Sequence, residues 1–494
     1  MTRKLSFILT VFFVCVTMAQ NGTPTDYLSA QFHKEKRAAL RAKMPNNSVA
    51  VFFGNPVRNR ANDVDYVYHQ DPDFYYLTGY KEPNCVLVIF SEDQMDKDGS
   101  TYNEILYVQE KNPKAEQWTG IRLGTEGAKT SLGFDVALNG KEFINSSINY
   151  SNFSNVLFKE FENDYRDSKR EKADLFKLIQ AFKVQVGYTE KSNSPTDSKM
   201  QNEMNLKKNI TSKKATLDSK SIGTYMASLR EKKSKEEMVL LTKAIRISAM
   251  GQREIMKAMH PGMSEIEIQG IHEFIYKKYG SEYEGYPSIV GAGNNGCVLH
   301  YIENSKMKVE NDLVLMDLGA EYHGYSADVT RTIPANGKFS TEQKLIYDLV
   351  YDAQEAGIAE AKIGNSFGMP DQAARKVISE GLIKLGIIKK EDESRKYFPH
   401  GTSHHIGLDV HDPGLYNAFE ANIVVTVAPG IYIPNGSDCD KKWWEIAVRI
   451  EDDILITPNG PINLSAEAPR KSNEIEALMN EKSVLDTFSL PNLD

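Results

Sequence analysis

Two aspartates are conspicuous because they border apolar or turn-like segments. Asp317 ends the apolar run LVLM, and Asp328 follows eleven positions later, after the glycine-containing segment GAEYHGYSAD. On the arms of a hairpin, both side chains could point to one face. A carboxylate inside an apolar strand is unfavourable unless it is paired or bound to metal. Each aspartate alone is more often a turn or cap residue, so both interpretations stay open at this point.

A second segment, FPHGTSHHIGLDVHD, holds four of the ten histidines, at positions 400, 404, 405 and 411. Neutral imidazole is a common metal ligand and proton carrier. His400 and His404 have the i, i+4 spacing of a helical zinc site, but Pro399 and Gly401 disfavour a helix there. No HExxH motif occurs in the chain. A zincin-type site is therefore excluded, and His405 in particular could equally be a core or surface residue.

The segment VRIEDD places Glu451 directly after an alternating strand, with Arg449 two residues earlier on the same face. Four candidate ligands thus lie on four predicted strands: Asp317, Asp328, His404 and Glu451. Carboxylates with one imidazole suit divalent manganese, cobalt or zinc. Bridging carboxylates can hold two such ions a few ångströms apart with a hydroxide between them, which indicates metal-assisted hydrolysis.

The length, composition and net charge of the chain limit the kind of scaffold that can position these residues. A chain of 494 residues favours two domains. Its composition, 41% hydrophobic and 26% charged, is typical of a soluble folded protein. The net charge of −8 disfavours a general nucleic-acid binder, because such a protein needs a basic surface to displace counterions from phosphates.

The order of patterns along the chain predicts an α/β domain over residues 28–190, a polar linker over residues 191–227 and an α+β domain over residues 228–494. Serine-to-acid or serine-to-glutamine spacings predict capping boxes that start helices at Ser234, Ser264 and Ser340. A similar order of helices and strands in the two halves of the second domain hints at an internal duplication.

The amino terminus has the three parts of a secretory signal. MTRK supplies positive charge, LSFILTVFFVCV an apolar core, and TMA small residues before Gln20. We therefore expect residues 1–19 to be a signal peptide and the protein to be exported to the periplasm or the medium. After cleavage after Ala19, three cysteines remain, at 85, 297 and 439, and these are too few for a disulfide framework.

A resemblance to a known family adds to this interpretation. The segments GAGNNGCVLHY, LVLMDLGAEYHGYSADVTRT, HGTSHHIGLDVHD and VRIEDD closely resemble the motifs of aminopeptidase P, the Xaa-Pro aminopeptidases. RNRANDVDYVYHQDPDFYYLTGYKEPNCVLVI is similar to the amino-terminal domain of that family. The match runs in order from about residue 28 to the carboxyl terminus. It implies an α/β amino-terminal domain followed by an α+β domain with the pita-bread fold, shared with prolidase and methionine aminopeptidase.

The resemblance also implies roles for individual residues. Asp317, Asp328, His404 and Glu451 match ligands of two divalent ions, manganese in the first place, with Asp328 and Glu451 bridging the pair. His300 and His411 match catalytic histidines that contact the scissile peptide or its tetrahedral intermediate. The matching substrate-binding positions are His400, Tyr432 and Arg449. The implied reaction is attack of the bridging hydroxide on the bond between residue one and a proline at position two. We also expect a homo-oligomer on this ground alone.

One position departs from the family pattern. The family has TVEPG, whose glutamate is the fifth metal ligand and the usual general base, where this chain has TVAPG with Ala428. Three carboxylates instead of four leave two divalent ions one charge short of neutral, which should weaken the second metal site, on the His404 side. A water could fill the space, but losing a tethered base commonly lowers the rate on the order of 10²–10⁴-fold.

We therefore predict a folded Xaa-Pro aminopeptidase with low or absent turnover. Three explanations compete. The chain is a residually active enzyme rescued by Glu445, Asp438 or Asp440; or a non-catalytic homologue that binds proline-containing peptides; or its alanine is an engineered replacement. The otherwise intact ligand set favours the first and third. A prolidase-like dipeptidase is a further alternative, although TSHH is nearer to the aminopeptidase P pattern.

Overall fold

The computed structural model describes residues 24–146, 148–162, 164–168, 171–189 and 215–487. The predicted signal peptide lies outside the described residues. No helix among the described residues is long and apolar enough to cross a membrane.

The amino-terminal domain is built on a six-stranded mixed sheet. Its strands are β1 (Ser48–Phe53), β4 (Val86–Met95), β5 (Thr101–Val108), β6 (Ala137–Asn139), β7 (Asn155–Phe158) and β8 (Thr216–Asp218), in the order β6-β5-β4-β1-β7-β8. A separate hairpin consists of β2 (Asn59–Ala61) and β3 (Val64–Asp65). The helices are α1 (Ala30–Arg41), α2 (Pro72–Thr78), α3 (Pro113–Thr119), α4 (Gly124–Leu132), α5 (Gly140–Ile144) and α6 (Leu175–Val186). The predicted α/β class is confirmed.

The second domain is α+β. Its helices are α7 (Ser221–Arg230), α8 (Lys235–Ala258), α9 (Glu265–Lys278), α10 (Thr341–Glu360), α11 (Met369–Lys384) and α12 (Ser472–Leu478). Its strands are β9 (Tyr283–Glu284), β10 (Ile289–Ala292), β11 (Leu313–Leu318), β12 (Ala320–Tyr322), β13 (Tyr325–Ser326), β14 (Val329–Pro334), β15 (Val424–Val427), β16 (Gly430–Ile433), β17 (Ile446–Arg449), β18 (Asp452–Thr457) and β19 (Gly460–Asn463). They form three-stranded sheets β10-β11-β14, β13-β12-β9 and β15-β18-β19 and the pair β16-β17.

The three predicted capping boxes are confirmed. Ser234, Ser264 and Ser340 each accept a hydrogen bond from the backbone N–H three residues on, and the Glu or Gln there bonds back to the serine N–H. These bonds satisfy amides that have no partner within the helix, so each long helix begins at its serine. The helices then bury apolar faces against the strands that carry the site.

The predicted linker differs from the structure in its last part. Residues 190–214 lie outside the described residues, but Thr216–Asp218 forms strand β8, which pairs in parallel with β7 at the edge of the amino-terminal sheet. Ser221–Arg230 is a helix with Ile222 and Met226 buried. This short strand is polar and lacks an alternating apolar pattern, so its pairing with β7 could not be inferred from local sequence.

Buried ion pairs fasten the two domains together. Arg230 at the end of α7 donates to Asp73 of the amino-terminal domain at 2.6 Å and also to Asp412, which follows His411 in the histidine segment. Lys233 donates to the other oxygen of Asp412 at 3.0 Å. The amino-terminal domain is therefore linked directly to the segment that carries the candidate histidines.

Candidate metal centre

Strand register places Asp317 and Asp328 on one face. Asp317 on β11 pairs with Thr330 on β14, and Asp328 is two residues before Thr330. Side chains two residues apart on extended backbone share a face, so both aspartates point to the same side. The chain reverses between them at His323 and Gly324, which both have positive φ, 50° and 90°. This is the hairpin arrangement that the spacing predicted.

Tyr286 joins the two aspartates and was missed by the sequence analysis. Its hydroxyl lies 2.6 Å from Oδ1 of Asp317 and 2.7 Å from Oδ1 of Asp328. A phenol carries one proton and can donate only one of these bonds. The other short contact therefore needs a proton on one of the carboxyl groups when no cation is present. The only sequence signal was an aromatic residue before Pro287 at the start of a strand.

The orientation of His404 suits metal binding. Its Nδ1 lies 3.0 Å from the carbonyl oxygen of His405, to which it must donate, so the proton of neutral His404 is on Nδ1. The free Nε2 lies 3.4 Å from Oδ2 of Asp328 and 3.9 Å from Oε1 of Glu451. A backbone acceptor of this kind fixes the tautomer and ring orientation of ligating histidines. The segment is not helical, as predicted.

Two residues of β14 hold Glu451 in place. Thr330 donates through Oγ1 to Oε2 of Glu451 at 2.9 Å. The buried guanidinium of Arg331 donates to the carbonyl oxygen of Glu451 at 2.7 Å and to the carboxylate of Asp452 at 2.7 Å. The sequence analysis predicted neither residue. Thr330 could have been found, because it lies two residues after Asp328 in the segment DVTRT and so on the same face of an extended strand. The acid is thus oriented by both its side chain and its backbone.

The donor set fits a divalent cation. One ligand atom each from Asp328, His404 and Glu451 lies within 4.8 Å of the other two. Asp317 is not part of this triad; its Oδ2 accepts from Nη2 of Arg449 at 2.7 Å and its Oδ1 from the hydroxyl of Tyr286. The structure thus brings three of the four predicted ligands into one cluster and connects the fourth to it through Tyr286.

Burial and neighbouring charges shift the pKa values of the three acids. Burial, and then the charge of neighbouring carboxylates, raises the pKa of Asp328 and of Glu451 well above ordinary values. Burial alone would also raise the pKa of Asp317, but the charge of Arg449 and the hydrogen bonds from Tyr286 and Arg449 outweigh it and lower that pKa. Bound divalent cations would take the place of the retained protons.

These residues line a cavity of about 480 Å³. His300 and His411 lie on its wall and are exposed to it, and the ring of His411 meets that of His404 edge to face, with centroids 4.4 Å apart. Burial and the charges of His404 and His300 lower the pKa of His411. Apolar side chains, among them Ile289 and Leu299, form other parts of the wall. A ligand in the cavity would therefore meet imidazoles beside the acids.

A chain of hydrogen bonds connects Asp317 to His400. Nδ1 of His400 donates to the carbonyl oxygen of Gly401 at 2.9 Å, so its Nε2 is an acceptor and receives the hydroxyl proton of Tyr432 at 2.7 Å. Tyr432 in turn accepts from Nη1 of Arg449 at 2.9 Å. Burial, with the positive charge of Arg449, lowers the pKa of His400 to about 4. His400 is therefore neutral at physiological pH.

Ala428 contributes a methyl group to the cavity wall. It follows β15 and precedes Pro429, where the chain leaves one sheet for another. The residue is 6% exposed and lines the cavity with His404 and Glu451. Among the described residues that line the cavity, the carboxylates are Asp317, Asp328 and Glu451. The described lining of the cavity contains no fourth carboxylate.

The proposed substitute ligands lie elsewhere. Asp438, Asp440 and Glu445 are exposed and do not line the cavity. Asp438 lies 3.5 Å from Lys396, and Asp440 caps a short helix by accepting from a backbone N–H. The structure therefore gives no support to rescue by these acids.

His405 is a core residue. Its ring is buried between Phe367 and Tyr416, with ring centroids 5.0 Å from each. Burial lowers its pKa to about 4, with a further contribution from the charge of Lys233. A neutral, packed imidazole of this kind plays a structural part, which was the alternative left open for it.

Comparison with known proteins agrees with the fold and with a metal-dependent peptidase. Residues 239–458 match the model of Metallopeptidase family M24, and residues 33–152 match that of the aminopeptidase P N-terminal domain. The Xaa-Pro aminopeptidase of Escherichia coli K12 is 34% identical over 464 residues, which cover 92% of this chain and 98% of that protein.

Two solved structures are similar over the same extent. One is E. coli aminopeptidase P with the inhibitor Pro-Leu, with a TM-score of 0.78, 33% identity and coverage of 92% of this chain and 98% of that one. The other is a variant of the E. coli protein with one glutamate replaced by alanine, in complex with substrate, with a TM-score of 0.78, 34% identity and the same coverage.

The fold and the site together define a metallopeptidase with an amino-terminal α/β domain and a pita-bread domain that carries the acids. Within that class, the chain belongs to the aminopeptidase P family, the Xaa-Pro aminopeptidases of metallopeptidase family M24.

Proposed function

We propose that this protein is a metal-dependent Xaa-Pro aminopeptidase, which removes the first residue from peptides with proline at position two, and that Ala428 limits its turnover. The observation that carries the proposal is the convergence of Asp328, His404 and Glu451 within 4.8 Å at the wall of a peptide-sized cavity. Family membership supports the substrate class, since the similar proteins are named Xaa-Pro aminopeptidases.

Asp328, His404 and Glu451 would hold divalent cations, with Asp317 contributing from the Arg449 side. When bound, such ions polarise the scissile carbonyl and supply a nucleophile from water at neutral pH. We propose manganese, because carboxylate oxygens outnumber imidazole in this donor set, with cobalt or zinc as substitutes. Metal analysis of protein purified without added ions would test this choice.

The residues around the acids would position the peptide. His300 and His411 expose imidazoles to the cavity beside the acids, where they can donate to carbonyl oxygens of the substrate. The neutral ring of His400, held by Tyr432, offers an uncharged surface to a proline ring. Arg449 is engaged with Asp317 and Tyr432, so it orients these groups and has little capacity left for the substrate.

Ala428 offers no side-chain proton acceptor at a position where the family pattern has a glutamate. The methyl group cannot accept the proton of an attacking water, and no other carboxylate of the described cavity wall replaces it. A positioned base contributes about 10²–10⁴-fold to a rate, so we expect turnover to fall by at least that factor. Peptide binding depends on the cavity and its histidines and should survive.

The experiment is a paired binding and hydrolysis assay with Arg-Pro-Pro and Arg-Ala-Pro. We expect tighter binding of the proline peptide, and slow release of arginine that a chelator abolishes. Equal binding of the two peptides would contradict the proposal. Binding without any release of arginine, even with metal bound, would identify a proline-peptide binder. Cleavage confined to Xaa-Pro dipeptides would identify a prolidase-like enzyme.

We also propose that the protein is exported and self-associates. The residues at the amino terminus support export, and sequencing of mature protein from the periplasm or medium should begin at Gln20. Self-association is proposed by analogy with the family, and sedimentation of the purified protein would measure it.

A further inference from the structure

The tip of the hairpin that carries the acids is fastened to the amino-terminal domain. Between Asp317 and Asp328 the chain runs through β12 and β13, and Glu321 and His323 lie near the turn. Both side chains are largely buried, and both contact residues that precede α2 in the amino-terminal part of the chain. The tip is therefore a point where contacts with the other domain reach the strands of the metal centre.

His323 has a carboxylate at each ring nitrogen. Its Nδ1 lies 2.5 Å from Oε1 of Glu282, and its Nε2 lies 2.9 Å from Oδ1 of Asp26 in the amino-terminal segment. The ring stacks on Tyr27 with centroids 3.7 Å apart, and its side chain is fully buried. Carboxylates only accept when ionised, so both bonds form only if the imidazole carries two protons.

His69 makes the converse contact, in which a histidine of the amino-terminal domain meets a carboxylate of the hairpin. It belongs to the amino-terminal domain, and its Nε2 lies 2.9 and 3.0 Å from the two oxygens of Glu321 on the hairpin. Its Nδ1 lies 3.0 Å from the carbonyl oxygen of Gln70. Both nitrogens again face acceptors, so the full set of bonds requires the imidazolium form.

We propose that the crossed pairs His69–Glu321 and His323–Asp26 form a clasp that holds the amino-terminal domain against the hairpin carrying Asp317 and Asp328, and that the clasp depends on pH through His69. The proposal stands on the two crossed pairs, His69 to Glu321 and His323 to Asp26. It does not depend on the proposed peptidase activity.

Other charged and titratable groups lie near the two histidines of the clasp. Lys243 donates to Asp26 at 2.9 Å and to the hydroxyl of Tyr322, and Lys81 lies over the ring of Tyr27 at 3.7 Å. Tyr283 lies edge-on to His69, and Asp409 adds negative charge to the surroundings of His69. The groups facing the two rings are thus three partner carboxylates, a more distant aspartate, two lysines and several phenols.

The sign of the pH dependence follows from His69. The hydrogen bonds with Glu321 raise the pKa of His69 above 6.5 against the opposing effect of burial. Between that ordinary value and the raised one, docked His69 keeps a proton that the undocked residue has lost. In this window each unit of rising pH lowers the docking equilibrium about tenfold through this residue. The clasp is fully formed at lower pH and weakens as pH rises.

The test is hydrogen exchange of the full chain, read on peptides covering residues 319–328, at about pH 6 and about pH 9 with intrinsic rates corrected. We expect the corrected protection of the hairpin to fall at the higher pH. His69→Gln and His323→Gln should both lower protection at about pH 6, and His69→Gln should also reduce its pH dependence. His69→Arg, which keeps a positive charge, should lose less protection between the two pH values than the unaltered protein does.

His260→Gln, at an exposed site outside the clasp, is the matched control and should behave as the unaltered protein does. Hairpin protection that does not change with pH in the unaltered protein would overturn the proposal, and this measurement requires no variant. Equal pH dependence in His69→Arg and the unaltered protein would also overturn it. Binding of Arg-Pro-Pro is measured separately, so failure of the clasp and failure of the proposed function are distinguishable.

Discussion

The backbone N–H of Ala428 donates to the carbonyl oxygen of Thr402 at 2.8 Å. This bond ties the end of β15 to the histidine segment just before His404, and it holds residue 428 at the cavity wall. Ala428 lines the same cavity as Asp317, Asp328 and Glu451, so a longer side chain at this position would meet the cavity that holds the acids.

Arg449→Met should destabilise the metal-free protein. The substitution leaves the buried carboxylate of Asp317 without its cationic partner and removes a donor to Tyr432. Breaking a buried ion pair by removing one partner lowers the free energy of unfolding by about 3–5 kcal/mol. Chemical denaturation would measure it, with Arg395→Met, an exposed arginine, as the control. A loss no larger than that of the control would contradict the assigned role.

Tyr286→Phe should weaken the coupling between Asp317 and Asp328. Phenylalanine keeps the ring but removes the hydroxyl that contacts both carboxyl groups. A buried acceptor left unsatisfied lowers stability by about 1–3 kcal/mol. Denaturation in the metal-free state is the measurement, and Tyr279→Phe, at an exposed tyrosine, is the matched control. Equal stability of Tyr286→Phe and the unaltered protein would show that the hydroxyl is dispensable.

Stability of the metal-free protein should fall as pH rises above the ordinary carboxyl range. The folded protein keeps protons on Asp328 and Glu451 at pH values where the unfolded chain, with ordinary pKa values of 3.8 and 4.5, has lost them. Unfolding then releases protons and becomes easier as pH rises. Thermal unfolding from about pH 5 to about pH 8 would measure this trend, which Asp328→Asn should flatten.

Added manganese should stabilise the protein more at higher pH. The ion competes with the protons on Asp328 and Glu451, so its apparent affinity rises as these protons are lost more readily. A fixed excess of a ligand that binds only the folded state raises the unfolding temperature according to its affinity. The same increase in unfolding temperature at every pH would contradict metal binding at these two acids.

The sequence was most informative where local pattern decides the structure. Ser234, Ser264 and Ser340 begin helices as predicted, because a capping box depends only on residues three positions apart. The aspartates share a face as predicted, because β-register alternates with a period of two residues. His404 and Glu451 were candidates from residue type and spacing, and the family resemblance added His300 and the individual roles of the other histidines.

Contacts between distant residues could not be predicted from one sequence. Tyr286 reaches Asp317 and Asp328 from 31 and 42 positions away, and His69 meets Glu321 across 252 positions. No periodicity or spacing connects such pairs, since they depend on how the sheets and the two domains pack. Strand β8 was missed for the same reason: its edge position depends on β7 and not on its own polar residues.

The most direct measurement compares the rate of Arg-Pro-Pro hydrolysis by the unaltered protein and by Ala428→Glu at equal metal content, with Ala428→Gln as an uncharged control of similar size. We expect the glutamate to raise the rate by a factor on the order of 10²–10⁴ and the glutamine to leave it low. An unaltered protein that is already as fast as Ala428→Glu would contradict the claim that the missing acid limits turnover. A folded, metal-loaded Ala428→Glu variant without any gain would contradict it as well.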